Sequence, residues 1–322
     1  MATFNWSKIP DPDSKGEIYI LNCSGASKME ARIKTLGANL VLLSKDGKNI
    51  VDTGIRADSR PFGGTPVLYP TPNRVKDGIY RFKGKAYEMN KNGERVVLHG
   101  LVRDEVFNAA APVVDGDSIT LNVWLDFLPG TEIHDAGFPF AHRFGMGFTL
   151  KPTGIDISYT VENYTDGELP YGFGVHTFFM RLSGDEKTRV SLATDKVIEC
   201  DENIMPTGNV INVGGTRFDM RKPLPVKDLQ FDTDFFDYHT PESSVVYYDT
   251  LGYKLTINTT DDFNHIQFFV NPGNPFFCVE NMTCSINAHN LYDGGMVKES
   301  GLIILPPKGK KTGVISIEIS AI

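Results

Sequence analysis

The sequence predicts an all-β protein, built as a sandwich or a barrel, from three observations. Segments in which apolar and polar residues alternate recur along the chain, turn dipeptides separate them, and no segment has a convincing helical period. With 322 residues, 41% of them hydrophobic, the chain is long enough for one large core. We find no internal repeat, Ser/Gly linker or charge block, so residues 1–322 are predicted to form one domain.

The strand-like segments follow one another in order. Each has the two-residue period or the β-branched runs of a strand. They are GEIYILNC, MEARIKTLGANLVLLS, SITLNVWLDFL, GFTLKP, IDISYTVENYT and YKLTINTT. Turns between such runs are predicted at Asp46-Gly47, Lys83-Gly84, Asn92-Gly93 and Leu251-Gly252. The segment from Asn203 to Pro225 is predicted to be a loop.

Charge and cysteine content narrow the partners and the compartment. The formal net charge of −8 disfavours nucleic acid and anionic membranes, because both attract basic proteins. No apolar run reaches the roughly 20 residues that span a bilayer, and the N-terminal MATFNWSKIPDPDSKGE has no leader pattern. The four cysteines form no CxxC pair, so reduced core thiols and a cytoplasmic location are expected. The oligomeric state stays open.

A carboxylate interrupts an apolar run near the C-terminus. Glu280 follows the letters FFCV, and alternation places it on the face of Phe276 and Cys278. A carboxylate in an apolar strand must be paired, neutralised or used. Two interpretations stay open, a structural ion pair with an arginine and a group that exchanges protons.

The segment LPYGFGVHTFFM, residues 169–180, carries a histidine among glycines. If one strand runs through it, Gly172 and Gly174 lie on the face of His176 and leave space above the ring. Glycine inside a strand marks a bulge or a close approach by a ligand or another backbone. A core histidine beside a twist of the strand is the alternative.

Two further positions are suited to binding. Asn73 and Arg74 lie in a loop rich in proline and glycine, where the planar arginine fork can donate hydrogen bonds to oxygens. His99 ends a strand-like run in the letters VVLHGL. A solvated arginine and an ordinary turn histidine are the alternatives.

The segment LQFDTDFFDYHTP mixes aromatic residues with Asp232, Asp234 and Asp237. This combination suits sugars, because hydroxyls bind to carboxylates and pyranose C–H faces pack on aromatic rings. A solvated strand edge is the alternative for Asp234 and Asp237. The spacing does not fit an EF-hand, and the seven histidines form no i, i+2 or i, i+4 pair, so no metal site is predicted.

The order of these motifs resembles the aldose 1-epimerase (mutarotase) family. GGTPVLYPTPNRVKDG is followed by LHG, FPFAHRFGMGFTL, VENYTDGELPYGFGVHTFF, LQFDTDFF and FFCVENMTCSINAHN, from Gly63 to Asn290. The closing LIILPPKGKKTGVISIEI resembles that family's last strands. The resemblance implies a large antiparallel β-supersandwich of the galactose mutarotase type, with a sugar site and no cofactor.

The resemblance also implies the catalytic pair. Glu280 matches the family's general base, and His176 matches its general acid. The flanking residues depart from the common pattern, since Thr177 and Asn281 stand where proline or serine is frequent. These departures affect the expected sugar preference more than the expected chemistry.

Four residues match substrate-binding positions of the family. Asn73 and Arg74 match its NR loop, and His99 matches the histidine of its LHG motif beside the sugar. Asp232 matches an acidic residue that binds sugar hydroxyls, and Asp234 competes for that role.

The sequence therefore predicts an isomerase that exchanges the anomers of a free hexose by acid–base ring opening. One base and one acid suffice for this reaction. A phosphosugar mutarotase is the first alternative, but it needs a basic pocket, and no Lys/Arg cluster lies near the motifs. The second alternative is a non-catalytic carbohydrate-binding or regulatory module on the same fold. Such a module would not need both Glu280 and His176.

Overall fold

The computed structural model describes residues 2–52, 63–238 and 244–322, so His239 lies outside the described part. The strands are β1 (Thr3–Pro10), β2 (Glu17–Ser24), β3 (Lys28–Lys34), β4 (Asn39–Lys45), β5 (Lys48–Asp52), β6 (Val67–Leu68), β7 (Ile79–Phe82), β8 (Lys85–Glu88), β9 (Asn90–Lys91), β10 (Glu94–Arg95), β11 (Asn108–Ala109), β12 (Val113–Asp115), β13 (Ser118–Phe127), β14 (His142–Lys151), β15 (Gly154–Asn163), β16 (Leu169–Tyr171), β17 (Gly174–Val175), β18 (Thr177–Met180), β19 (Thr188–Ser191), β20 (Thr194–Cys200), β21 (Pro206–Asn212), β22 (Leu224–Pro225), β23 (Phe231–Tyr238), β24 (Ser244–Tyr248), β25 (Tyr253–Thr259), β26 (His265–Val270), β27 (Phe276–Met282), β28 (Ile303–Leu305) and β29 (Lys310–Ala321).

Helices are few and short. They are α1 (Glu132–Asp135), α2 (Gly184–Lys187), α3 (Ala288–Asp293) and α4 (Val297–Ser300), with 3₁₀ turns at Lys76–Gly78, Val226–Asp228 and Asp249–Leu251. None of the helices in the described part of the chain has the length and apolar composition that crossing a membrane requires. The all-β prediction is confirmed.

Two large antiparallel sheets form the body of the fold. The first sheet has 13 strands, in the order β1-β2-β3-β4-β5-β18-β27-β26-β23-β20-β21, with β17 and β6 joined to it beside β27. The second sheet has 10 strands, in the order β11-β13-β14-β15-β29-β25-β24-β19-β22, with β12 paired to β13. Three two-stranded ribbons, β7-β8, β9-β10 and β16-β28, complete the described architecture.

The inner faces of both sheets bury one shared hydrophobic cluster. Strand β14 has the required alternation, because Phe144 and Phe148 are buried inside while Arg143 points outward. Leu43 and Val279 of the first sheet belong to the same cluster. This core holds the two sheets together, although the assignment of all 322 residues to one domain stays a prediction.

Most local predictions are confirmed. Each predicted strand segment contains at least one observed strand, and the four turn dipeptides lie between paired strands. The four cysteines are free, and Cys23, Cys278 and Cys284 are buried.

The loop predicted from Asn203 to Pro225 is partly wrong. It contains β21, which pairs with β20 at the edge of the first sheet. Nearly every residue of β21 is at least partly exposed, so the strand lacks the alternation that marks a half-buried strand in a sequence. Strand β1, at the opposite edge, is exposed on both faces for the same reason and gave no signal either.

Candidate active site

A cavity of about 140 Å³ opens on the first sheet. Its lining contains all six residues that the sequence singled out, Asn73, Arg74, His99, His176, Asp232 and Glu280. Leu98, Phe178 and Phe269 complete the lining. Phe178 also belongs to a small apolar cluster that is separate from the main core, so the cavity lies on the outer face of the sheet. The structure thus brings together residues that are scattered over most of the sequence.

Glu280 lies in β27, a strand whose residues are all buried, with β18 on one side and β26 on the other. Its side chain is on the face of Phe276 and Cys278, as alternation predicted. The residue is 2% exposed, so its carboxylate is almost fully removed from solvent. Such a group must find a partner or change its protonation state.

The partner of Glu280 is a histidine. Nε2 of His176 lies 3.1 Å from Oε1 of Glu280. Among the described residues no arginine lies within ion-pair distance of this carboxylate, so the structural Glu–Arg pair is not what the chain forms. The other oxygen, Oε2, is buried and has no hydrogen-bond partner in the described part of the protein. An unsatisfied buried acceptor is rare in native structures and here lies beside a cavity.

Two aromatic rings hold the His176 imidazole. The ring of Phe178 stacks on it with centroids 4.6 Å apart and planes 14° apart. The ring of His99 meets it edge-on, at 5.5 Å and 88°. The plane of the imidazole is therefore set by packing on two sides, which keeps Nε2 directed at Glu280.

The glycines before His176 do not leave space above its ring, so that expectation is wrong. The strand is interrupted between β16, β17 and β18. A Cβ atom on Gly172 would lie 2.2 Å from Sγ of Cys284, and one on Gly174 would lie 2.8 Å from Cγ of Met282. The two glycines therefore accommodate the close approach of the neighbouring segment that carries Cys284 and Met282.

Burial dominates the protonation of Glu280. Removal from solvent raises the pKa of this carboxyl well above its usual value, and the charge of Asp232 raises it further. The Arg74 guanidinium opposes both effects by lowering the pKa, and Asp234 raises it slightly. Glu280 therefore binds a proton much more readily than an ordinary surface glutamate.

The pKa of His99 moves in the other direction. Burial lowers it well below the usual histidine value, and His176, Arg103 and Arg74 lower it further. The imidazole of His99 is therefore neutral near pH 7, where one ring nitrogen donates a hydrogen bond and the other accepts one.

The loops that carry Arg74 and His99 are bonded to each other. The His99 backbone N–H donates to the Asn73 carbonyl at 2.7 Å, and Arg74 forms a β-bridge with Leu98. Nη1 of Arg74 also donates to Oδ1 of Asn73 at 3.0 Å. The Asn287 backbone N–H donates to the Arg74 carbonyl from the segment after β27. The guanidinium is thus fixed at the cavity wall and is not a freely solvated arginine.

The two competing aspartates have different surroundings. Asp232 is exposed at the cavity and accepts a hydrogen bond from Nε2 of Gln267. Asp234 is 0% exposed, accepts a hydrogen bond from Oγ of Ser285 at 2.6 Å, and lies 3.0 Å from Nδ1 of His265. The strand-edge interpretation of Asp234 is therefore wrong, and of the two only Asp232 lines the cavity.

The third aspartate of this strand lies away from the cavity lining. Asp237 is partly exposed and forms ion pairs with Lys196 at 2.8 Å and with Lys298 at 3.7 Å. Within the described ranges, no three His, Cys, Asp or Glu side chains are grouped closely enough to hold a metal ion.

Sequence reasoning missed Gln267, which links the site residues across the sheet. In β26 it lies directly opposite Asp234 on one side and Glu280 on the other. Its amide donates to Asp232, while its buried Oε1 has no partner among the described residues. The signal was present in the sequence, because Gln267 is a polar residue within the apolar run HIQFFV, as Glu280 is within its own strand.

The comparison with protein families agrees with this geometry. The family model described as aldose 1-epimerase matches residues 20–318. The chain belongs to the aldose 1-epimerase family. The family assignment rests on nearly the whole chain, and it includes every residue that lines the cavity.

Individual relatives in this family are distant. The chain is 27% identical over 202 residues to the uncharacterized protein YihR of Escherichia coli (strain K12), which covers 59% of this chain and 62% of that protein. It is 28% identical over 189 residues to galactose mutarotase of Homo sapiens, which covers 56% of this chain and 52% of that protein. The matches thus span about half to three-fifths of these curated relatives.

Solved structures show the same fold over the full length. A galactose mutarotase-like protein from Clostridium acetobutylicum superposes with a TM-score of 0.83 and 22% identity, covering 99% of both chains. Galactose 1-epimerase from Lactobacillus acidophilus NCFM superposes with a TM-score of 0.77 and 17% identity, covering 100% of this chain and 99% of that chain. The predicted β-supersandwich of the galactose mutarotase type is therefore confirmed for this member of the aldose 1-epimerase family.

Proposed function

We propose that this protein is an aldose 1-epimerase that interconverts the α and β anomers of a free hexose. Glu280 is the general base and His176 is the general acid. The observation that carries the proposal is the buried Glu280 carboxylate, 3.1 Å from the His176 imidazole, at a cavity that also exposes Arg74 and Asp232. A cyclic aldose is a hemiacetal, and its opening needs one proton removed and one proton added.

The base acts on the C1 hydroxyl. Oε2 of Glu280 is the carboxylate oxygen that the protein leaves without a partner among the described residues, so it can accept the hydroxyl proton. Burial raises the pKa of Glu280 well above its usual value. A base whose pKa is nearer to the working pH takes a proton more effectively than an ordinary glutamate does.

The acid acts on the ring oxygen. His176 donates a proton there as the C1–O5 bond breaks, and the open-chain aldehyde forms. The C1–C2 bond then rotates, and the ring closes on the other face with the two proton transfers reversed. Each well-placed transfer contributes about 10²–10⁴-fold to the rate.

The acid and the base start from one shared proton. A neutral Glu280–His176 pair and an ionised pair hold the same number of protons, so the working form is reached by moving one proton over 3.1 Å. The stacked Phe178 and the edge-on His99 keep the imidazole in the orientation that this transfer needs. No cofactor takes part in these steps.

Binding is assigned to the remaining cavity residues. Arg74 donates hydrogen bonds to sugar oxygens, Asp232 accepts them from hydroxyls, and Asn73 holds the arginine in place. His99, neutral because of its low pKa, contributes one donor or one acceptor at the same wall.

The charge of the cavity favours a free sugar over a sugar phosphate. Arg74 is the only lysine or arginine in its lining, and two carboxylates, Asp232 and Glu280, lie beside it. A phosphate dianion would meet like charge there, which costs binding energy. The alternative of a non-catalytic carbohydrate-binding module does not account for a buried acid–base pair.

Anomer exchange on a sugar panel tests the proposal. Freshly dissolved single anomers of free hexoses and of hexose 6-phosphates are followed by polarimetry, and NMR exchange spectroscopy measures the rate at equilibrium. We expect acceleration for at least one free hexose and a weaker effect on the phosphates. Sugar binding without acceleration would favour the non-catalytic module, and faster exchange of phosphates would favour the phosphosugar enzyme.

A further inference from the structure

A second cavity, of about 260 Å³, lies on the second sheet. It runs across β13, β14 and β15 and reaches the start of β29, on the face that points away from the shared core. None of its lining residues belongs to the candidate active site, which lies on the first sheet. We call this cavity the outer groove.

Glycine forms the floor of the outer groove. Gly145 takes an outward position in the middle of β14. It lies outside the left-handed region, so backbone conformation does not require glycine there. A Cβ atom at this position would have only the Val123 carbonyl oxygen at 3.6 Å and the Thr160 carbonyl oxygen at 3.9 Å within 4 Å, so packing does not require glycine either. Glycine inside a strand costs about 0.5–1 kcal/mol relative to alanine, and a closely approaching ligand is one reason to keep it.

An aromatic wall stands beside this floor. Trp124 is directly opposite Gly145 across the β13–β14 pair, yet no atom of its ring comes within 4 Å of the space above the glycine. The Arg143 guanidinium lies 5.5 Å from the centroid of the Trp124 ring. Both oxygens of Asp126 accept hydrogen bonds from this guanidinium, at 2.7 and 2.8 Å. The aromatic wall is therefore held at one end by a fixed ion pair.

Polar side chains form the other walls. Oγ of Ser158 and Oδ1 of Asn122 lie close above Gly147, where a Cβ atom would be 2.5 and 3.1 Å from them. Across the floor, Oγ1 of Thr160 is hydrogen-bonded to Oγ1 of Thr312 at 2.9 Å. The groove thus combines one large aromatic ring with hydroxyl and amide groups.

The charges around the groove cancel. Asp126, Arg143, Glu162 and Lys310 form one row across β13, β14, β15 and β29, with alternating sign. A row with no net charge does not select a phosphate or an amine. The Glu162 carboxylate has no hydrogen bond or ion pair to any residue that the structure describes, so it is available to accept hydrogen bonds from a ligand.

We propose that the outer groove is a second, non-catalytic binding site for a neutral saccharide. A pyranose ring lies over Gly145 with a C–H face toward Trp124, and its hydroxyls bind Glu162, Ser158 and Asn122. Aromatic rings and hydrogen-bonding side chains are the groups that suit the two faces of a sugar. The proposal does not depend on catalysis at Glu280, because the two sites share no residue.

Tryptophan fluorescence tests the proposal directly. The chain has two tryptophans, so the Trp6→Phe variant leaves Trp124 as the single reporter. This variant is titrated with glucose, galactose, maltose, cellobiose and lactose, which separates a monosaccharide site from a glycan-chain site. We expect a saturable change with at least one of them. No saturable change with any of these sugars would overturn the proposal.

Two matched variants locate the binding. Gly145→Val fills the floor with a residue that suits a strand, and Glu162→Gln keeps the shape while it weakens the acceptor. In the Trp6→Phe background, Gly145→Val should abolish the saturable change and Glu162→Gln should weaken it, while anomer exchange stays at the parent rate. A signal that survives Gly145→Val would overturn the proposal.

Two further readouts separate other occupants of the groove. Asp232→Ala, which alters the candidate active site, should leave the saturable change of Trp124 intact. Loss of the signal in that variant would mean that Trp124 reports binding at the other cavity. Sedimentation velocity compares the parent with Gly145→Val, and an oligomeric state that changes with the variant would make the groove an interface between copies, which would also overturn the proposal.

Discussion

Nε2 of His176 lies 3.1 Å from Oε1 of Glu280, so the two groups share hydrogen-bonding distance in a site that is nearly closed to solvent. The relationship follows from the sheet. Gly174 pairs with Met282 and Thr177 pairs with Val279, and this register brings His176 opposite Glu280. Because a register is fixed along two paired strands, the contact does not depend on a mobile side chain reaching across the site.

Glu280→Gln should abolish anomer exchange. The amide has nearly the same shape but cannot take the proton, so we expect a loss of at least about 10²–10⁴-fold, the usual contribution of a general base. Polarimetry measures the rate, and the melting temperature is the control. Because the variant removes a buried ionisable group, its stability should be equal to that of the parent or higher. Exchange at the parent rate would remove Glu280 from the mechanism.

His176→Asn should lower kcat much more than it changes KM. The acid gives up its proton mainly in the transition state, so its loss is felt there and not in the bound sugar. NMR exchange at several sugar concentrations separates the two constants. If KM alone rises, His176 binds the sugar and does not act as the acid.

Asp232→Ala and Asp234→Ala should fail in different ways. Asp232 lines the cavity, so its loss should weaken sugar binding by about 1.5–3 kcal/mol, and Arg74→Ala should have an effect of similar size. Asp234 is buried between His265 and Ser285, so its loss should destabilise the fold by at least about 1–3 kcal/mol. Sugar titration and urea unfolding measure the two effects. The reverse assignment of effects would mean that Asp234 is the residue that binds the sugar.

Exhaustive treatment with EDTA should leave the rate unchanged. Both proton transfers are assigned to side chains, and neither needs a Lewis acid. Polarimetry before and after the treatment is sufficient, with a buffer-only dialysis as the control. Activity that is lost with EDTA and restored by Zn²⁺ or Mg²⁺ would contradict the mechanism.

The sequence predicts single strands and single site residues better than it predicts their contacts. Glu280 stood out because a charge in an apolar run is costly, and Gln267 could have been found by the same argument. The contact between His176 and Glu280 depends on the pairing of β18 with β27, and strands far apart in a sequence carry no local signal of their register. Strand β21 was missed because exposed edge strands lack the alternation that burial imposes.

The pH dependence of kcat/KM should be bell-shaped, because the Glu280–His176 pair must hold one proton. At low pH both groups are protonated and no base remains, while at high pH neither holds a proton and no acid remains. The two limbs belong to the coupled pair and not to either residue.

Single variants should separate the limbs. Residual activity of Glu280→Gln should need only a protonated histidine and should fall as the pH rises. Residual activity of His176→Asn should need only an ionised glutamate and should rise with pH. Its midpoint should lie well above the usual glutamate value, because burial and Asp232 raise the pKa of Glu280. Asp232→Asn in that background should lower the midpoint, since it removes one of the two causes. A midpoint near the ordinary glutamate pKa would show that Glu280 is solvated in the working enzyme.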